Sequence, residues 1–166
     1  MSGAPDPEVP AAEFRAALGS FAAGVTVVTS RAPDGALAGL TATSFTSVSL
    51  DPPLCLVCVA RTADAHAVLA RADHFGVSLL AADQRELSAR FATHGADKFA
   101  GVAWGPGPAT GVPLLGGAIA TLECRVESRV AAGDHDVLIG RIQRVETRGG
   151  EPLLYLRGRY GTFQPA

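Results

Sequence analysis

At 166 residues the chain has the length of one domain, able to bury roughly 70% of the surface its unfolded state exposes. Apolar residues make up 48% of it and charged ones 18%, which excludes a disordered chain. A formal charge of -2 and the lack of a long apolar run give no ground for a nucleic-acid partner or a membrane span.

The first ten residues, MSGAPDPEVP, hold two acids, three prolines and no basic n-region, so they predict a flexible tail over 1–12 ahead of one domain, 13–166. In AAEFRAALGSFAAG, Phe14, Leu18 and Phe21 stand four and three apart, which predicts an amphipathic helix ending near Gly24. The period then changes. VTVVTS (25–30) is β-branched, APDG (32–35) carries turn chemistry, and GLTATSFTSVSLDPPL (39–54) follows as the return strand of a hairpin. Its hydroxyls, Thr41, Thr43, Ser44, Thr46, Ser47 and Ser49, occupy both parities of the alternation, whereas a half-buried strand sorts polar from apolar side chains.

LCLVCVA (54–60) is an unbroken apolar run of strand length and predicts burial on both faces. Its Cys55 and Cys58 form a CxxC, but residues three apart on a strand point opposite ways, so inert thiols are expected and no metal site. With Cys124 they make an odd set that predicts a reducing, cytoplasmic compartment. TADAHAVLARA (62–72) reads as a helix with a Thr62 cap, HFGVSLLA (74–81) as a strand, and DQRELSARFATHG (83–95) as a helix stopped by glycine. Gly and Pro crowd 98–117 too densely for regular structure, which predicts a covering loop or a partner-facing one.

In 118–130 Leu122, Cys124 and Val126 alternate with Glu123, Arg125 and Glu127, the pattern of an antiparallel strand with one wet face. A second long strand spans 136–148 and a last one 152–158. The whole reads as mainly β with a few helices, a barrel or strongly curled sheet, without internal repeats.

GPGPATG lacks the spacing, the preceding strand and the following helix of a dinucleotide fingerprint, and its prolines remove amide donors. Neither a Walker lysine pattern nor GxSxG occurs. His66, His74 and His94 read as ordinary surface or boundary histidines. His135 stands between Asp134 and Asp136, where carboxylates favour the imidazolium; a polar hairpin turn and a site histidine fit it equally. The hydroxyl cluster likewise fits either a solvated edge strand or a phosphate cradle of hydroxyls and amides, with Arg90 and Lys98 near enough in sequence to add charge.

Taken in chain order, GVTVVTS, GLTATSFTSVSLDPPL with CLVCVA, FGVSLLAADQRELSARFA, the KF pair, the Gly-Pro loop, LECRV, GDHDVLIGRI and PLLYLRGRY resemble the flavin reductase-like family. The likeness runs from about Phe14 to Phe163. These small reductases supply reduced flavin to two-component monooxygenases. The resemblance implies a split β-barrel of the FMN-binding type, a homodimer, FAD or FMN as cofactor, NADH as reductant with NADPH the alternative, and a monooxygenase partner. By motif match, Thr41, Ala42, Thr43 and Ser44 face the phosphate and ribityl chain, while Ser47, Val48, Ser49 and Leu50 border the isoalloxazine ring. Ser78 stands where the family often has Asn. Arg90, Phe91 and Lys98 resemble the segment closing over the phosphate, and His135 and Tyr160 position the nicotinamide. Arg157 and Arg159 near Tyr160 leave the choice of nicotinamide cofactor open. A non-exchanging electron carrier, a small-molecule oxidase and a non-enzymatic flavin-binding module are the alternatives on the same fold.

Overall fold

In the computed structural model, residues 8–95 and 97–165 are described, so the predicted tail lies outside it over 1–7. Helix α1 (Ala11–Leu18) stops short of the predicted end near Gly24. Gly19 and Ser20 weaken the helix, the Ser20 hydroxyl donates to the Ala16 carbonyl at 3.1 Å, and the next residues are drawn into β1 (Ala23–Gly24). Strands β2 (Thr26–Arg31) and β3 (Leu37–Ala42) form the predicted hairpin. The hydroxyl-rich stretch then breaks, and it resumes as β4 (Thr46–Ser49), which pairs with β5 (Leu54–Ala60).

One turn, α2 (His66–Leu69), replaces the longer helix predicted over 62–72, and Thr62 does not cap it. Strand β6 (His74–Leu79) and helix α3 (Arg85–Ala92) fall within their predicted segments. The Gly-Pro segment is more ordered than its composition predicts. It forms a short hairpin, β7 (Trp104–Pro106) with β8 (Pro113–Leu115). The long pair β9 (Ala120–Ala132) and β10 (His135–Thr147) follows, then β11 (Leu154–Leu156) and β12 (Arg159–Gly161). The last two replace a single predicted strand, because Arg157 (φ 50°) and Gly158 (φ 78°) reverse the chain with the left-handed pair a two-residue hairpin turn requires.

Seven strands form one antiparallel sheet in the order β3-β2-β6-β9-β10-β5-β4. Its two edge strands are joined by residues 43–45 alone. Such a link spans about 14 Å at full extension. A flat sheet would hold those edges about 29 Å apart. The sheet is therefore strongly curled, and its concave face encloses the main core, with Val28, Leu40, Val57, Phe75, Val77, Leu122 and Leu138 among its members. Side chains of alternate parity on β2 feed a second core outside the curl, where Val25, Val27, Leu80, Phe91, Leu115 and Leu153 meet under α3 and the 98–117 segment.

Two burial patterns differ from the sequence reading. On β5 only Cys55, Val57 and Val59 are buried, and Leu54, Leu56 and Cys58 are half-buried, so the strand has one core face. Glu123, expected on a wet face, is 1% exposed because the 98–117 segment folds over it. Its carboxylate accepts the N–H groups of Ala109 at 3.0 Å and Thr110 at 2.7 Å, together with the Thr110 hydroxyl at 2.8 Å.

Gly140 is where β10 passes closest to the core. A β-carbon there would stand 2.4 Å from Phe75 Cζ and 3.0 Å from Cys124 Cβ, both on fully buried side chains. Gly140→Ala is expected to cost about 1–3 kcal/mol through overpacking, read as a lower urea midpoint at unchanged m-value. An unchanged midpoint would show that Phe75 moves aside freely.

Candidate functional site

The break in the hydroxyl-rich stretch separates its side chains into two sets. Thr41, on β3, donates to the Ser88 carbonyl at 2.6 Å and so ties the strand to α3. Ala42 is buried, with its carbonyl accepting the Thr26 hydroxyl at 2.8 Å. The Ser44 hydroxyl accepts the Cys58 N–H at 3.0 Å and donates to the Cys58 carbonyl at 3.2 Å, standing in for a ladder residue where β4 has not yet begun. Thr43, Thr46 and Ser47 instead face solvent. The register with β5 slips between Ser47 and Ser49, which leaves Val48 as a bulge, 47% exposed, and Leu50 beyond it is 91% exposed. Because β4 is an edge strand, half of its backbone N–H and C=O groups point away from the sheet.

Between β3 and α3, Lys98 is nearly enclosed. Its ammonium donates to the carbonyls of Gly39 at 3.3 Å and Phe91 at 3.2 Å, and Asp64 lies 3.8 Å away. Phe91 is fully buried, its ring packed under Gly39 where no β-carbon intervenes. Two candidates are not brought to this cluster. Arg90 faces the other side of α3, donates to the Ala100 carbonyl, and lines a cavity of about 360 Å³ with Asp83, Glu86 and Val102. Ser78 is fully buried on β6, its hydroxyl oxygen accepting the Leu115 N–H at 3.0 Å, which makes it a fastening for β8. A cavity of about 690 Å³ shares no residue with the hydroxyl stretch; it lies between the 32–34 turn, α2 and Thr110.

Histidine 135 opens β10 directly after the turn. Its Nδ1–H donates to Asp134 at 2.7 Å, leaving Nε2 as the ring's other polar atom. That hydrogen bond holds Asp134 below the ordinary carboxylate range. Asp136 anchors the turn from the other side: His66 Nε2–H donates to it at 2.7 Å and the Arg61 guanidinium at 3.0 Å, while the Arg61 N–H meets the Asp134 carbonyl. His66 first, and Arg61 second, hold the Asp136 carboxyl below its usual range. A depressed folded pKa gives stabilisation that is present above about 3.9 and lost as pH falls through the folded value. Asp136→Asn is accordingly expected to lower Tm at neutral pH, with the gap from wild type closing in acid. A gap constant from neutral pH to below about 3 would remove the charge of Asp136 from the account.

Tyr160 sits elsewhere in the chain. On β12 it packs against the second core, its hydroxyl 2.9 Å from the Ser88 hydroxyl and its ring 5.4 Å from the Arg85 guanidinium. The sequence reading missed Ser88 and the Arg61–Asp136–His66 anchor. The only signal for Ser88 was its place three residues before Phe91, on the inner side of α3.

A flavin presents an anionic end, a polyhydroxyl chain and a flat ring with a hydrogen-bonding rim. Outward hydroxyls at Thr43, Thr46 and Ser47, free edge amides on β4, and exposed Val48 and Leu50 match those three parts in chemical kind. Among the described residues no cluster of His, Cys, Asp or Glu has metal-site geometry.

The chain belongs to the flavin reductase-like family, whose domain matches residues 18–164. It is 45% identical over 172 residues to an NADH:riboflavin 5'-phosphate oxidoreductase of Streptomyces pristinaespiralis, covering 99% of this chain and 97% of that one. The reductase subunit of a flavin-dependent monooxygenase from Rhodococcus jostii is 40% identical over 153 residues, covering 92% and 77%. Among solved structures, the NADH:FAD oxidoreductase of Streptomyces globisporus C-1027, in complex with NAD and FAD fragments, superposes with a TM-score of 0.87 at 39% identity, covering 93% of each chain. Several curated relatives are longer, and the chain spans 65%, 49% and 48% of the length of three of them.

Proposed function

We infer that this chain is an NADH-dependent flavin reductase that reduces FMN or FAD and releases the reduced flavin to a monooxygenase. The observation that carries this reading is the match, across almost the whole chain, to an NADH:riboflavin 5'-phosphate oxidoreductase, joined to an edge strand whose exposed groups suit a flavin. Bound there, the flavin supplies two-electron hydride chemistry, so the protein's own residues need only bind, orient and exclude water. Thr41, Ala42, Thr43 and Ser44 shape the phosphate and ribityl end, with Lys98 holding β3 against α3 behind them. Ser47, Val48, Ser49 and Leu50 border the ring, where outward N–H groups of β4 stabilise negative charge at its rim. His135 and Tyr160 position the nicotinamide.

The curled sheet is read as a split β-barrel, supported by the short link between its edges. A homodimer is supported by α1, which buries none of its residues, and by the turn after it: Phe14, Leu18 and Phe21 stay exposed, as do Tyr155 and Leu156, and the two segments are joined by β1–β11 pairing and the Arg157 N–H to Gly19 carbonyl bond. Free thiols at Cys55, Cys58 and Cys124 support a reducing cytoplasm. Among the described residues no helix is long and apolar enough to cross a membrane. The test is anaerobic stopped-flow mixing with FMN or FAD against NADH and NADPH. Bleaching under excess free flavin supports the reductase and ranks the cofactors. Retained flavin that does not bleach selects the carrier or binding module.

A further inference from the structure

Helix α3 connects the two halves of the site through one residue that neither the hydroxyl motif nor the GDH turn contains. Ser88 is fully buried. Its carbonyl accepts the Thr41 hydroxyl at 2.6 Å, and its own hydroxyl lies 2.9 Å from the Tyr160 hydroxyl. Strand β3 and the C-terminal hairpin thus meet on a single residue, with Phe91 one turn further along α3 locked under Gly39. The neighbouring Arg85 lies over the Tyr160 ring and Tyr155 meets it edge-on, at a centroid distance of 5.3 Å.

We propose that Ser88 is a positioning residue that sets Tyr160 against the flavin-side strand, so that the nicotinamide is held in reach of the flavin. The inference rests on the reading of Thr41 as flavin-side and Tyr160 as nicotinamide-side. The two bonds of Ser88 are chemically distinct. Thr41 binds its backbone, which substitution leaves in place, while Tyr160 binds its hydroxyl, which substitution removes. Ser88→Ala therefore releases the tyrosine without releasing the flavin-side threonine. Tyr160→Phe deletes the same hydroxyl pair from the other, half-exposed side, and keeps the ring between Arg85 and Tyr155.

The experiment measures the limiting rate of flavin bleaching at saturating NADH, the flavin Kd and Tm for wild type, Ser88→Ala, Tyr160→Phe and the double variant. A shared neutral hydrogen bond corresponds to a loss of about 3- to 10-fold. Each single variant is expected to slow bleaching by that factor with flavin Kd unchanged, and the double variant by no more than either alone, since the bond is already gone. Should Ser88→Ala fail to fold, Tyr160→Phe reads the same bond by itself. Lower Tm with an unchanged bleaching rate in both variants would overturn the role and leave Ser88 as packing. Losses that multiply in the double variant would overturn it too, because the hydroxyls would then act separately. A wild type that does not bleach flavin at all would instead overturn the reductase reading beneath it.

Discussion

His135→Ala is expected to lower kcat/KM for NADH about 100-fold, the scale of loss when a reacting group is misplaced by about 1 Å. The Kd for FMN or FAD should stay within about twofold, because the variant removes no group from the hydroxyl stretch. The turn that carries His135 is braced before any substrate arrives. Asp136 is gripped by Arg61 and His66, the Arg61 N–H holds the Asp134 carbonyl, and Asp134 fixes the Nδ1 tautomer of His135. The ring therefore offers Nε2 in a set direction, and its removal costs that orientation. Steady-state kinetics with each substrate varied in turn, together with flavin titration of the variant, decide the matter. Equal loss toward NADH and flavin would make the turn a structural element.

Glu123→Ala is expected to destabilise the fold by about 3 kcal/mol, read as a shifted urea midpoint. The substitution leaves the Ala109 and Thr110 N–H groups and the Thr110 hydroxyl without their acceptor, in a place where the native carboxylate is 1% exposed. Glu123→Gln keeps the shape and can keep an acceptor in the Oε2 place, but sets an NH2 in the Oε1 place against the Ala109 N–H, so about half that loss is expected. The Gly-Pro segment has further fastenings: Thr29 donates to the Pro113 carbonyl, Ser78 accepts from Leu115, and Gln84 donates to the Gly116 carbonyl at 2.8 Å. An unshifted midpoint in Glu123→Ala would mean that those three suffice.

Strand identity was legible wherever β-branched residues ran together, as in β2, or where a long alternation bounded a strand, as in β9 and β10. Two of the errors share one cause: periodicity describes a segment against water and carries no trace of what later folds over it. Glu123 reads as wet until the 98–117 segment covers it, and the Gly-Pro stretch reads as irregular until buried side chains fasten it. The hydroxyl stretch gave a correct warning. Its mixed parity marks a chain leaving one sheet edge for the other, which explains why Thr41 and Ser44 turn inward while Thr43 and Ser47 do not. Arg90 and Ser78 are expected at the flavin from motif position alone; helix phase turns the Arg90 side chain to the Ala100 carbonyl, and strand burial fastens Ser78 to the Leu115 N–H. Ser88 was invisible because its importance lies in two contacts more than forty residues away along the chain.

The link 43–45 holds the two margins of the main sheet together and also carries the outward hydroxyl of Thr43. Adaptation to a new cofactor through that link is therefore constrained, since a residue inserted there lets the two edges of the sheet move apart. The outer margin at Thr46, Ser47 and Val48 bears no such duty, because a bulge already interrupts the ladder. On the flavin placement proposed above, directed evolution for altered flavin preference would find its tolerant positions along that margin, with the link kept at its present length.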